Sequence, residues 1–319
     1  LTVKLLKYLV SAGLFGLAAY LLDWDGLVDA ASKLRPVTLI AATVIIMVEF
    51  PIYAFRWHLL VRDVTPLDFQ ANTRRYFLAV FFNTFTPAQI GGDVYRFFSL
   101  KRHAGSGISL LARLIQERLL GLIGILCFYL LCLAWAMFFG RLDTAAAIGF
   151  IYVGGVALVG LSGLLMAPWF LRLIGKTDFV RDWPLAVQCV GLGAEALSFG
   201  GVGRFLVLLG CSFISAFGWT VAILLIAWDL GSNISFSALG LVSTSVEVIR
   251  LIPVTVQGIG VREPTFAFFF EVLGFSPEKG FVVGTIAYLA LSVATLLAGV
   301  IGRFIPDTAP VEAAAAPPR

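Results

Sequence analysis

Leu119-Leu-Gly-Leu-Ile-Gly-Ile-Leu-Cys-Phe-Tyr-Leu-Leu-Cys-Leu-Ala-Trp-Ala-Met-Phe-Phe139 runs for 21 residues without a charge or a proline. As a helix rising about 1.5 Å per residue it covers a hydrocarbon core of about 30 Å. Further apolar runs, most of them holding a charge or a proline, occupy residues 5–22, 37–55, 145–170, 205–228, 236–252 and 281–305. Two shorter apolar stretches, 76–85 and 265–275, are too brief to cross and lie beside Pro and Gly, so they are predicted to be re-entrant or broken. The fold predicted is all-α: a polytopic integral membrane protein with seven crossings, or eight if one short stretch spans.

Composition agrees. Of 319 residues, 60% are apolar and 13% charged, against about 45–50% and about 25% in soluble domains, which excludes a water-soluble globular protein. The net charge of +4 is too small to argue for nucleic acid and fits contact with anionic lipid. Four cysteines without CxxC spacing and two histidines give neither a disulfide framework nor a zinc cluster, so no metal or cofactor is expected. The run at 5–22, with Lys4 just before it and Lys7 near its start, ends without a small-residue cleavage site, so it reads as a retained helix. Residues 306–319, small and Pro-rich, are expected to form a disordered tail after a membrane unit at 1–305.

Lys and Arg concentrate in three connections: 56–75, with Arg56, Arg62, Arg74 and Arg75; 93–103, with Arg96, Lys101 and Arg102; and 171–204, with Arg172, Lys176, Arg181 and Arg204. The excess of basic residues on cytoplasmic loops places the N-terminus in the cytoplasm, provided that 76–92 enters and leaves on the same side. Of the aromatic residues, Trp24, Trp57 and Trp183 sit near run ends and are expected to be interfacial anchors.

Two interrupted segments lie in the two halves of the chain: Asn83-Thr-Phe-Thr-Pro87-Ala-Gln-Ile-Gly91-Gly92-Asp93-Val-Tyr-Arg96 and Pro253-Val-Thr-Val-Gln257-Gly258-Ile-Gly260-Val-Arg262-Glu263. Counted from the proline, both carry Gly at the fifth position (Gly92, Gly258) and Arg at the ninth (Arg96, Arg262). An unwound helix in a membrane exposes backbone N–H and C=O groups, tolerable only where they are buried in protein or line a wet cavity. In transporters built from inverted repeats, corresponding broken helices frame the substrate site. The functional reading is a polar cavity between two halves; the alternative is a pair of tight turns between ordinary helices.

Charges inside apolar runs cost about 2.5–3.5 kcal/mol each on insertion scales. They include Glu49, the group Arg113, Glu117 and Arg118, the pair Glu247 and Arg250, and the charges beside the breaks. Arg113 with Glu117 and Glu247 with Arg250 have helical pairing distances. For Arg96, Arg118 and Arg262 the forked guanidinium matches a phosphate, and Asp93, Glu117 and Glu263 could hold those arginines or meet an amine. The sequence gives Glu49 no role.

These marks resemble the transmembrane, flippase-like domain of the lysylphosphatidylglycerol synthase family. The resemblance is carried by Arg56-Trp57 followed by Leu59-Leu60, by Asn83…Pro87…Gly92-Asp93…Arg96, by Glu117-Arg118 opening a long apolar helix, and by Pro253…Gly258-Ile-Gly260-Val-Arg262-Glu263. It spans nearly the whole chain; Gln257 stands where many relatives have Gly. The resemblance implies a membrane protein, expected in a bacterial cytoplasmic membrane, that moves a phospholipid or polyprenyl-linked lipid between leaflets and partners a separate lipid-modifying enzyme. No stretch corresponds to the soluble aminoacyl-transferase domain of the large members, so the chain is not expected to charge lipid with lysine. The substrate-binding residues so implied are Asn83, Pro87, Gly92, Asp93, Arg96, Glu117, Arg118, Pro253, Gln257, Gly258, Gly260, Arg262 and Glu263. Two other classes compete: a membrane transferase using Asp93, Glu117 or Glu263 as base or metal ligand, and a non-transporting accessory of lipid or lipid-linked glycan biosynthesis.

Overall fold

The computed structural model describes residues 32–84, 86, 90–139, 144–175, 184–250 and 259–308, together with Asp25, Val28 and Asp29. The run at 5–22, Trp24 and Trp183, and most of the expected tail lie outside the described residues. Ten helices are described: α1 (Pro36–Val61), α2 (Phe69–Thr84), α3 (Gly91–Leu100), α4 (Gly107–Phe138), α5 (Thr144–Ile174), α6 (Pro184–Ala196), α7 (Val202–Asp229), α8 (Phe236–Ile249), α9 (Arg262–Val272) and α10 (Pro277–Phe304). The protein is an all-helical polytopic membrane protein. Among the described residues α1, α4, α7 and α10 are each long and apolar enough to cross a bilayer, and α5 holds a further apolar stretch, Ile148–Gly163.

The order of elements repeats. A long helix, two short helices flanking a break, and a second long helix occur as α1, α2, α3, α4 and again as α7, α8, α9, α10. Both closing helices begin the same way. Ser106 accepts a hydrogen bond from the Ser109 N–H (3.4 Å) and Ser276 one from the Lys279 N–H (3.3 Å), each relieving an orphan donor of a helix start. The apolar stretch 76–85 belongs to α2, which reaches back to Phe69, and 265–275 forms most of α9. The run 236–252, expected to cross, instead yields a helix of 14 residues, too short for the core. It is the second half's counterpart of α2.

The long helices pack by their small faces. On α10, Ala287, Ala290, Ala294 and Ala298 are fully buried, and α10 packs against α1, α2, α7 and α9. With lipid as apolar as leucine, close backbone approach supplies the association. The outward faces are apolar too: Val37, Ile40, Val44 and Val48 on α1 and Val300 and Phe304 on α10 are exposed, a lipid-facing surface. Ion pairs close the edges. The Arg35 N–H donates to Asp229 (2.7 Å) and its guanidinium pairs with the same carboxylate, joining the start of α1 to the end of α7. Asp307, at the head of the predicted tail, bridges Arg74 (2.5 Å) and Arg75 (2.8 Å) of α2.

Two expectations about α1 change. The charge count puts Arg56 in a loop, but Trp57, Leu59, Leu60 and Val61 continue the helix, which places Arg56 inside it and buried. Trp57 is 0% exposed and so is no interfacial anchor; it packs in the core beneath a guanidinium.

Candidate functional site

The first break is built so that α3 can begin inside protein. Its leading N–H groups have no helical partner, and the end of α2 and the residues just after it supply two. Asn83 Oδ1 accepts from the Gly92 N–H (2.7 Å) and Thr86 Oγ1 from the Gly91 N–H (2.9 Å). A Cβ at position 92 would run into the Ala79 carbonyl oxygen and lie 2.6 Å from Asn83 Oδ1. Glycine is required there for space.

This close approach aims Asp93 and Arg96 at α4. Arg96 pairs with Glu117 and with Asp93 (2.5 Å), and its guanidinium lies over the rings of Trp57 (4.3 Å) and Tyr76 (5.3 Å). Glu117 also faces Arg56 (3.5 Å), which donates to Ser212 Oγ on α7 (2.8 Å). Arg118 reaches Asp93 (2.5 Å) while 49% of its side chain stays exposed. Three arginines thus share two carboxylates, leaving one excess positive charge. The expected Arg113–Glu117 pair does not form: Arg113 turns to Gln116 (2.9 Å) and Glu195 (3.8 Å), because Glu117 faces the interior. Glu117 lies ten residues past the start of α4 rather than at its opening.

The second break is organised differently. Glu247 and Arg250 pair at 2.5 Å, as their spacing predicts. Gly260 has φ +79°, the left-handed region that costs side-chain-bearing residues about 1–2 kcal/mol, and its N–H donates to Glu263 Oε2 (2.8 Å). Arg262 is 1% exposed, with its guanidinium over the Tyr288 ring at 4.8 Å. Arg96 is the sixth residue of α3, whereas Arg262 is the first of α9. The two arginines match in sequence spacing but stand at different heights in their helices. Pro87, Pro253, Gln257 and Gly258 lie outside the described residues.

Between the two halves is a cavity of about 320 Å³. The first half contributes Asn83, Asp93, Arg96, Glu117 and Arg118, and α8 contributes Glu247 and Arg250. Glu49, which the sequence leaves without a role, also lines the cavity, as do Tyr53 and Arg56 of α1 and the hydroxyls Ser215, Thr244 and Thr295, none of which the sequence marks as site residues. The signal for α1 is Glu49-Phe-Pro51: a carboxylate beside a proline within an apolar run, where the proline leaves the Met47 carbonyl without its helical donor. Gly92, Gly260, Arg262 and Glu263 are not among the lining residues; Gly92 positions the wall, and Arg262 and Glu263 are buried outside it.

A cavity with four arginines and four carboxylates, enclosed by lipid-facing helices, can hold a charged group away from hydrocarbon. The family model of the lysylphosphatidylglycerol synthase TM region matches residues 4–299. The chain belongs to that family. Membership places it among the membrane domains of lipid-related proteins. No curated protein and no solved structure matches it.

Proposed function

We propose that the protein is a lipid translocase. The headgroup of a phospholipid or polyprenyl-linked lipid passes through the cavity while its hydrocarbon chains stay in the bilayer. The observation that carries this is one cluster on the cavity wall, where Arg56, Arg96 and Arg118 share Asp93 and Glu117 and the outermost guanidinium, Arg118, is half exposed. A phosphate crossing hydrocarbon alone loses its hydration. A guanidinium fork restores two charge-assisted hydrogen bonds, each worth about 1.5–3 kcal/mol, and lowers the barrier without a chemical step. Arg96, held by Glu117 and Asp93 between two aromatic rings, serves as a strut; Arg118 and Arg250 are the headgroup's donors. The inverted relation of the two halves, a cytoplasmic N-terminus, a bacterial inner-membrane location and a separate enzyme that supplies the lipid belong to the same reading.

The test is exchange of a labelled anionic phospholipid between leaflets of proteoliposomes. The wild-type protein is expected to exceed empty vesicles. Arg118→Ala is expected to lower the rate about tenfold or more, the factor matching loss of about 1.4 kcal/mol. Equal exchange with and without protein overturns the reading.

A further inference from the structure

Asp93, Glu117 and Glu247, three of the four carboxylates on the cavity wall, each meet an arginine. Glu49 does not. Its side chain lines the cavity at 6% exposure, and its Oε1 has no hydrogen-bond partner among the described residues. Burying an ionised carboxylate without a cation costs several kcal/mol, so its place here needs a reason.

We propose that Glu49 is the proton-binding site of the transport cycle. A proton from water on one side of the membrane forms an O–H bond with the carboxylate and leaves to water on the other side, and its downhill movement drives the lipid. This rests on the translocase reading and deepens it by naming the energy source.

The surroundings favour a proton over a larger cation. The carboxylate lodges against the backbone of α7 at Gly218, where an added Cβ would lie 2.8 Å from Oε1. That backbone closes one side of Oε1, so a larger cation could approach only from the cavity, whereas a proton needs no coordination sphere. The facing groups are few. Its own helix offers Tyr53 and, farther along, Arg56; α8 offers Glu247, the charge that acts on Glu49 most strongly, with its partner Arg250. From α4 comes Glu117, held by Arg56 and Arg96, and from α2 Tyr76. From α7 come Gly218, Ser215 and Trp219, with Cys211 on the Arg56 side, and from α10 only Leu291 and Thr295. Glu49 is the one carboxylate on this wall free to change charge without breaking an ion pair.

Two measurements on the full chain test it. Infrared difference spectra between acidic and alkaline buffer should show the C=O stretch of a protonated carboxylic acid that titrates in the wild type, is absent in Glu49→Gln and is shifted in Glu49→Asp. In proteoliposomes, one proton per lipid supports a leaflet asymmetry of up to about tenfold per unit of imposed pH difference; the wild type and Glu49→Asp should approach it, and Glu49→Gln should give a ratio of one. A band that persists in Glu49→Gln, or an asymmetry it retains, overturns the proposal. So does a wild type that exchanges lipid without responding to the gradient. If the wild type exchanges no lipid at all, the translocase reading is what fails, while the infrared band still decides whether Glu49 binds a proton.

Discussion

The two breaks carry the same letters and use them for different physics. At the first, glycine is a matter of space: Gly92 lets α3 rest on α2, and the arginine four residues on reaches the cavity wall. At the second, glycine is a matter of backbone angle: Gly260 turns the chain at φ +79° into α9, and Arg262 is buried over Tyr288 outside the cavity. Sequence symmetry therefore does not imply symmetry of role. The first break faces the cavity with Asp93 and Arg96, and the second half answers with Glu247 and Arg250, before its break rather than after it.

The most damaging way to break this comparison is to remove a carboxylate. Glu117→Ala leaves Arg56 and Arg96 buried around an empty place, a change of the kind that costs about 3–5 kcal/mol. Glu263→Ala removes one charge-assisted hydrogen bond, from the Gly260 N–H, worth about 1.5–3 kcal/mol. Thermal unfolding in detergent should rank Glu117→Ala well below Glu263→Ala; equal losses would mean that the two breaks are built alike. The glycines come next. Gly92→Ala forces a Cβ against Ala79 and Asn83, an overpacking of about 1–3 kcal/mol. Gly260→Ala pays only the left-handed penalty of about 1–2 kcal/mol. Asparagine tells them apart, since it tolerates positive φ: Gly260→Asn should be milder than Gly260→Ala, and Gly92→Asn worse than Gly92→Ala.

The membrane class, the long helices and the charged wall residues of the first half were legible in the sequence because runs of some 20 apolar residues and intramembrane charges are one-dimensional signals. Asp93, Arg96, Glu117 and Arg118 were found this way, and so was the Glu247–Arg250 pair. The partner of each arginine was not legible. Arg113 and Glu117 have ideal spacing, but which helix face looks inward is set by α3 and α7 packing on α4, a fact of tertiary structure. The length of α8 is not legible because 236–252 is apolar on average despite Glu247 and Arg250, and hydropathy does not register where a helix stops. Arg56 was hidden by its charge: counted as a loop residue, it is carried into the interior by the four apolar residues that follow it within α1.

The smallest expected change in stability is the one that best separates framework from function. Arg118 is half exposed and bound to Asp93, so its ion pair contributes at most about 1 kcal/mol. Asp93 keeps Arg96 when Arg118 is lost. Arg118→Ala should therefore unfold within about 1 kcal/mol of the wild type while lipid exchange falls. Arg96→Ala should lose both together, because it empties the space between Trp57 and Tyr76 and strands Glu117 with Arg56 alone. Arg118→Lys refines the point. Lysine keeps the charge but not the fork, so partial exchange would mean that charge alone draws the headgroup in, and none would mean that two parallel hydrogen bonds are needed. Should Arg118→Ala leave exchange intact and Arg250→Ala abolish it, the headgroup would be read from the second half, and the first break would be scaffold.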